Sequence, residues 1–353
     1  MLNRASLIEE YEKTILEDGA NLFHLDRESQ NKIASYEGCA NLVYECTREK
    51  RPVFLRVSFR QDRTFDQIAA ELNYIQYLDK NGVRVSTPIP SINGNMLEKI
   101  SLGDISLFLV CFTKGRGSRV PDNDYRYRQD APIEEYFQNW GATLSRMHSL
   151  SPGYQIHSPK LTRPDWFQLH AQKLNIVSRL PDRYSIVNYQ INRLLSEVRA
   201  LPKHSHCYGL IHGDFNDGNF TVDYTNGNIT VFDFDDCCYF WFAYELASAW
   251  EGGIGRVMFQ DLVRRRDFMD HYMSEVLLGY NKWNTLSDDW IERIPLFIKL
   301  IQVEEFLHFV QYIDADDAET QSHLRYLIAC IEQDLPFMGF FDPLYSPEHP
   351  FSS

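Results

Sequence analysis

Apolar positions repeat with two different periods along the chain, and the change falls about a third of the way in. Residues 5–18 alternate apolar and charged positions at helical spacing, which predicts a leading amphipathic helix. Three short runs with period-two alternation follow, Lys32 to Tyr36, Leu42 to Thr47 and Val53 to Ser58, with a charged turn at Arg48 to Arg51. Thr64 with Gln67 three residues on forms a capping box that opens a helix. Its apolar stripe is Phe65, Ile68, Leu72 and Ile75, and it ends near Lys80, before Gly82. The stretch GVRVSTPIPSINGN reads as a proline-broken loop and hairpin, and Ser106 to Phe112 as an apolar strand running into TKGRG.

Beyond that strand the helical period dominates. Residues 113–133 are charged and read as a mobile linker. Trp140, Leu144 and Met147 then share a helical stripe, and further long helices reach to about Leu335. One hairpin interrupts them: Phe220 to Asp223, a turn at Asn226-Gly227, then Ile229 to Phe232. The expected fold class is α+β, a small antiparallel sheet followed by a mainly helical region.

Composition narrows the function. The 353 residues carry a net charge of −14, which argues against indiscriminate binding of nucleic acid through its phosphates. An acidic surface is compatible with a cationic ligand, and it equally serves solubility alone. Seven cysteines lie scattered in apolar surroundings with no CxxC pair, as expected for buried, reduced thiols in a cytoplasmic protein. The N-terminus lacks the apolar region of a signal peptide, and no run approaches a membrane span, so no membrane partner is expected.

The most informative stretch is LIHGDFNDGNFTVDYTNGNITVFDFD, residues 210–235. It sets Asp214 five residues before Asn219 and ends an apolar strand on Asp233. Phosphoryl transfer needs a carboxylate for the acceptor hydroxyl and oxygen ligands that hold magnesium against the nucleotide phosphates. The predicted hairpin returns Asp233 to the side of Asn219. Read blandly, the same residues make a surface hairpin with acidic turns.

As one motif, HGD with an asparagine five residues later and an apolar strand ending in DFD resembles the aminoglycoside phosphotransferase and choline kinase family. The resemblance extends from roughly Ala20 to Tyr326. It implies a bilobal protein-kinase-like fold: a nucleotide-binding lobe with its leading helix over 1–112, a hinge over 113–133, and a helical lobe with catalytic loop and acceptor pocket over 134–353. It implies ATP and Mg2+ as cofactors and a small-molecule acceptor, for which the acidic surface is compatible with an amine. Asp214 then serves as the catalytic base, with Asn219 and Asp233 as metal ligands. Gly38, with Ala40, falls in the turn that would cover the phosphates. Arg56 stands where kinases place a lysine, with Glu71 as its ion-pair partner. The main chain of Cys111 and Thr113 falls at the adenine-binding hinge. His148 and His212 are read as structural, the latter fixing the loop backbone. Glu304 and Glu305 are either amine ligands in an acceptor pocket or a polar helix face, and Asp235 and Asp236 are left without a role.

Three readings stay open on the sequence: a small-molecule kinase, an atypical Ser/Thr protein kinase, and a non-catalytic nucleotide-binding scaffold. The intact Asp214, Asn219 and Asp233 favour the first two. Arg56 and the weak glycine turn lean slightly toward the third.

Overall fold

The structure is a computed structural model, and it describes residues 4–34, 41–59, 63–102, 105–156, 158–254, 262–310 and 317–337. Gly38, expected over the nucleotide phosphates, lies outside them.

Helix α1 (Arg4–Phe23) leads into strands β1 (Asn31–Ala34), β2 (Asn41–Arg48) and β3 (Arg51–Ser58), then helix α2 (Phe65–Lys80). Strands β4 (Pro88–Ile89), β5 (Glu98–Leu102) and β6 (Ile105–Thr113) complete an antiparallel sheet. Its order is β1-β2-β3-β6-β4, with β5 also paired to β6. Helix α1 runs five residues past its predicted end, because Ala20 and Phe23 still bury against the sheet.

Period-two alternation sorts β3 between the two faces. Val53, Leu55 and Val57 join Ile15, Phe23, Leu107, Leu109 and Cys111 in a core under α1. Phe54, Arg56 and Ser58 lie on the opposite face, toward α2 and the rest of the chain. The capping box of α2 forms as predicted, with Thr64 accepting from the Gln67 amide and the Gln67 side chain from the Thr64 amide. Ile68, Leu72 and Ile75 are buried, whereas Phe65 is exposed and packs edge-on against Phe108. Phe65, the first residue of α2, thus stands outside the buried stripe.

The remainder is mainly helical. Helix α3 (Ile133–Leu150) is followed by the short α4 (Trp166–Leu169) and α5 (Ala171–Leu174), then α6 (Ser185–Arg199). Two small antiparallel pairs come next: β7 (Tyr208–Ile211) with β10 (Cys238–Trp241), and β8 (Phe220–Asp223) with β9 (Asn228–Val231). Helices α7 (Phe242–Ile254), α8 (Leu262–Tyr280), α9 (Asp288–Ile291), α10 (Ile294–Phe309) and α11 (Ala318–Glu332) close the lobe. Helices α3 and α8 cross at main-chain contact: a Cβ at Gly141 would overlap the Val276 carbonyl, and one at Gly279 would overlap the Gln138 carbonyl. Between the lobes, Val120 is fully buried and Ser118 bridges Val222, so the 113–133 segment packs on the β8–β9 hairpin. No described helix is long and apolar enough to cross a membrane.

Candidate active site

The β8–β9 hairpin brings the motif together. Phe220 pairs with Val231 and Asp223 with Asn228, so the turn is four residues, Tyr224 to Gly227, rather than the two expected. Asp223 organises it by accepting from the Thr225 amide and hydroxyl. At the open end the Phe232 amide donates to the Asn219 carbonyl at 2.9 Å, which sets Asn219 beside Asp233. Asp233 itself adopts φ +63°, a left-handed conformation that turns the chain sharply out of the strand.

Asn219 Nδ2 donates to Asp214 Oδ2 at 2.7 Å and to its carbonyl at 2.8 Å, and Asn216 Nδ2 donates to Oδ1 at 2.8 Å. Both Asp214 carboxylate oxygens are thereby oriented. With its nitrogen committed to Asp214, the Asn219 side chain has its Oδ1 without a hydrogen bond among the described residues.

The loop bearing Asp214 is held from behind. His212 Nε2 donates to the Phe232 carbonyl at 2.9 Å, and its Nδ1 accepts from the Asp214 amide. This ring fixes backbone, as expected. Beneath it, fully buried Glu245 accepts from the Gly213 amide at 2.9 Å and from the His212 amide at 3.3 Å. His148 joins that carboxylate at 2.7 Å and contacts the Tyr280 hydroxyl at 2.8 Å through its other nitrogen. Gly213 needs to be glycine: φ is +90°, and a Cβ would strike the Asp236 carbonyl.

Above the loop, Arg56 and Glu71 form a two-pronged pair at 2.7 and 2.8 Å, with Arg56 5% and Glu71 0% exposed. Arg56 sits in interior strand β3, paired to Val43 and Val110, and its guanidinium lies over the Phe112 ring. Solvent exposure on an edge strand is thus excluded. Burial alone would lower its pKa, but Glu71, Asp235 and Asp233 more than reverse this.

The carboxylates around the cleft repel one another. Asp233 is pushed up to about 7 by desolvation, with Asp235, Glu71 and Asp214 adding to it and Arg56 opposing. Asp214 is also raised, by desolvation first; Asp236 adds to the rise, while His212 and the two asparagines oppose it. Crowded carboxylates that resist ionising together suit a dication, and Asn219 Oδ1 with Asp233 supplies hard oxygen donors. Among the described residues no group of three or more His, Cys, Asp and Glu side chains forms an all-protein cage. A site of one carboxylate and one amide oxygen fits Mg2+, which takes most of its ligands from water and phosphate.

The hinge expectation needs correction. Cys111 is buried on the α1 face, with β3 on one side (Leu55) and β4 on the other (Ile89). Its main chain is enclosed by the sheet, so it offers nothing to a base. The Thr113 amide donates to the Thr87 carbonyl at 2.9 Å. Cys111 lies within the predicted strand and pairs on both sides, whereas Thr113 joins the pairing because β6 extends one residue beyond its predicted end, opposite Thr87.

Next to Asp214 lies a second acidic region. Glu251 of α7 is pushed up to about 7 by burial together with Glu305, Asp217 and Asp214. Glu304 is likewise raised to about 7, chiefly by burial, although Tyr244 and Trp166 donate to it at 2.7 and 2.8 Å. Glu305 accepts from His323 at 2.7 Å. Sequence reading missed Glu245 and Glu251. Both are acids inside the apolar run FWFAYELASAWE, and an acid there is the signal that marks a buried task.

A small antiparallel sheet, a buried strand–helix ion pair and a loop joining Asp214 to Asn219 and Asp233 together define a protein-kinase-like phosphotransferase of α+β, bilobal build. The pattern of the phosphotransferase enzyme family matches residues 34–274, and the chain belongs to that family. It is a kinase with a hydroxyl acceptor. Amicoumacin kinase of Bacillus subtilis (strain 168) is 28% identical over 336 residues, covering 94% of this chain and 95% of that protein. A solved amicoumacin kinase in complex with AMP-PNP, Ca2+ and Ami matches with a TM-score of 0.82 at 27% identity, over 92% of this chain and 94% of the other. The microcompartment-associated aminopropanol kinase shares the fold, with a TM-score of 0.69 at 20% identity over 90% of this chain and 95% of that one.

Proposed function

We propose that the protein transfers the γ-phosphoryl group of ATP to a hydroxyl of a cationic small molecule, with Asp214 as base and Asn219 and Asp233 as Mg2+ ligands. The observation that carries this reading is the juxtaposition of the three side chains: Asn219 is bonded to Asp214 on one side and, through its carbonyl, to the strand end that bears Asp233 on the other. A relative solved with AMP-PNP and Ca2+ supports the use of a nucleotide and a divalent cation.

In this reading the acceptor hydroxyl donates to Asp214, whose oxygens are already oriented, and its proton passes to that carboxylate as the new bond to phosphorus forms. Arg56, held by Glu71, meets nucleotide phosphate with a fixed positive charge. The metal would supply charge neutralisation at the phosphate oxygens. An adenine ring would meet main chain beyond Thr113. Most of the rate then comes from positioning and electrostatics, since the protein does little covalent work.

Glu251, Glu304, Glu305 and Asp217 support the choice of a cationic acceptor. A bound ammonium group would favour the charged forms of Glu251 and Glu304, whose pKa values are raised chiefly by burial. Amicoumacin is the first acceptor to test, followed by aminoglycosides and short amino alcohols. Purified protein incubated with γ-labelled ATP, Mg2+ and this panel should label an amine-bearing alcohol and leave neutral polyols and casein unlabelled. Labelling of casein alone would overturn the small-molecule reading.

A further inference from the structure

Arg56, Arg63 and Arg163 are all buried near Asp233, at 5%, 5% and 3% exposure. A buried guanidinium is costly unless its donors are used, so each one asks for a reason. Arg56 has one in Glu71. Arg163 stands just ahead of α4, where Tyr239 donates to the Pro164 carbonyl at 3.0 Å and Asp165 bridges Tyr239, fixing its main chain to β10.

From there Arg163 reaches three carbonyls. Nε donates to Cys237 at 2.7 Å, Nη2 to Asp235 at 2.5 Å and Nη1 to Gln67 at 3.0 Å. Two of these belong to the segment immediately after Asp233. The third lies in the first turn of α2, and in an α-helix the carbonyl four residues back accepts the amide of residue i. The Gln67 carbonyl is therefore the acceptor for the Glu71 amide, and Arg163 grips the turn that carries Glu71. Arg63, one residue ahead of the α2 cap, reaches the opposite way: Nη2 bonds Asp236 Oδ1 at 2.6 Å, and Nε lies 3.5 Å from Asp235 Oδ1. The contacts between the lobes thus cross in both directions around the Asp233 loop.

We propose that Arg163 is a positioning residue for phosphoryl transfer, fixing the register between the Glu71–Arg56 pair and the loop that bears Asp233. This rests on the roles given above to Arg56 and Asp233. All three acceptors are main-chain oxygens, so Arg163 acts on where backbone lies and not on the charge of any side chain. Its planar fork can span carbonyls in two segments, and a lysine, with a single donor centre, cannot hold all three. The nucleotide half and the metal half of the site are then assembled before any ligand arrives.

The test uses the full chain with Arg163→Lys and Arg163→Ala. The affinity of AMP-PNP is measured by calorimetry with and without Mg2+, and amide exchange of the ligand-free protein is followed by mass spectrometry. In Arg163→Lys the gain in AMP-PNP affinity on adding Mg2+ should shrink about tenfold, the equivalent of one charge-assisted hydrogen bond. Exchange should speed up in peptides covering 67–72 and 234–238, while α3 and α8 stay protected. A purely structural role would lower the melting temperature and speed exchange throughout, leaving the Mg2+ gain intact, and that result overturns the proposal. Should Arg163→Ala fail to fold, Arg163→Lys decides alone: wild-type Mg2+ gain with wild-type exchange sinks it. Asp233→Ala separates this from the parent reading. If Asp233→Ala keeps the Mg2+ gain, the metal assignment has failed; if it loses the gain while Arg163→Lys keeps it, only the positioning role has.

Discussion

One amide nitrogen of Asn219 donates to both the side chain and the main chain of Asp214, at 2.7 and 2.8 Å. The proposed base and a proposed metal ligand are thus parts of one rigid unit. Asp214→Asn keeps the size of the side chain and removes the proton acceptor, and it retains only one of the two contacts from Asn216 and Asn219. It should leave ATP affinity within about twofold and lower transfer by about 10²–10⁴-fold. Nucleotide affinity and steady-state transfer measured on one preparation check this, and near-wild-type turnover would remove Asp214 from the mechanism.

Asp233→Ala should abolish the Mg2+ dependence of nucleotide binding, because Asn219 alone offers a dication one neutral oxygen. Asn219→Ala should be milder toward Mg2+ but also harm transfer, since it releases the Asp214 carboxylate. Thermal stabilisation by ATP, titrated against Mg2+, reads both. An unchanged Mg2+ midpoint in Asp233→Ala would place the metal elsewhere.

Breaking the buried pair from either side leaves an uncompensated charge, so Glu71→Gln and Arg56→Met should each lose about 3–5 kcal/mol of stability. Both should weaken ATP binding, and the double variant should be less than additive because one contact is removed twice. Arg56→Lys should keep partial activity. Additive losses in urea melts and in ATP affinity would show the two side chains acting separately.

Glu251 carries a pH prediction. Its folded pKa of about 7 lies above the ordinary carboxylate value, so the folded state holds a proton that the unfolded chain has already lost. Its contribution to stability therefore falls as pH rises from about 4.5 to about 7 and is level above that. Glu251→Gln should raise the melting temperature at pH 8 more than at pH 5. The Michaelis constant for a cationic acceptor should fall between pH 6 and 8 in the wild type as Glu251, facing Glu305, Asp217 and Asp214, ionises, and this slope should flatten in the variant. Parallel pH profiles for the two proteins would show that Glu251 does not meet the acceptor.

How much of this was legible in advance depends on whether a residue's role is set locally. The 214–219–233 constellation follows from spacing and one hairpin, both local, and only the length of the turn differs. The Arg56–Glu71 pair was readable because an acid on the edge of an apolar stripe needs a cation, and strand alternation put Arg56 on the facing side. The hinge was misplaced because strand ends are decided by pairing partners: β4 and the Thr87 before it lie in a proline-rich stretch with no signature of its own, yet Thr87 takes the Thr113 amide. Strand β5 went unread because EKISL carries only two apolar residues, Ile100 and Leu102, too few to establish a period. Glu245 and Arg163 act on main-chain atoms distant in sequence, which no pattern of neighbouring residues encodes.

The crossing of α3 and α8 has a consequence for how this enzyme tolerates change. The Asp214 loop rests on Glu245, Glu245 on His148, and His148 on α3, whose distance from α8 is set by glycine against carbonyl at Gly141 and Gly279. Spacing fixed by main chain does not drift when side chains are exchanged. A single methyl group at either glycine would therefore part α3 from α8 and reach the Asp214 loop through His148 and Glu245.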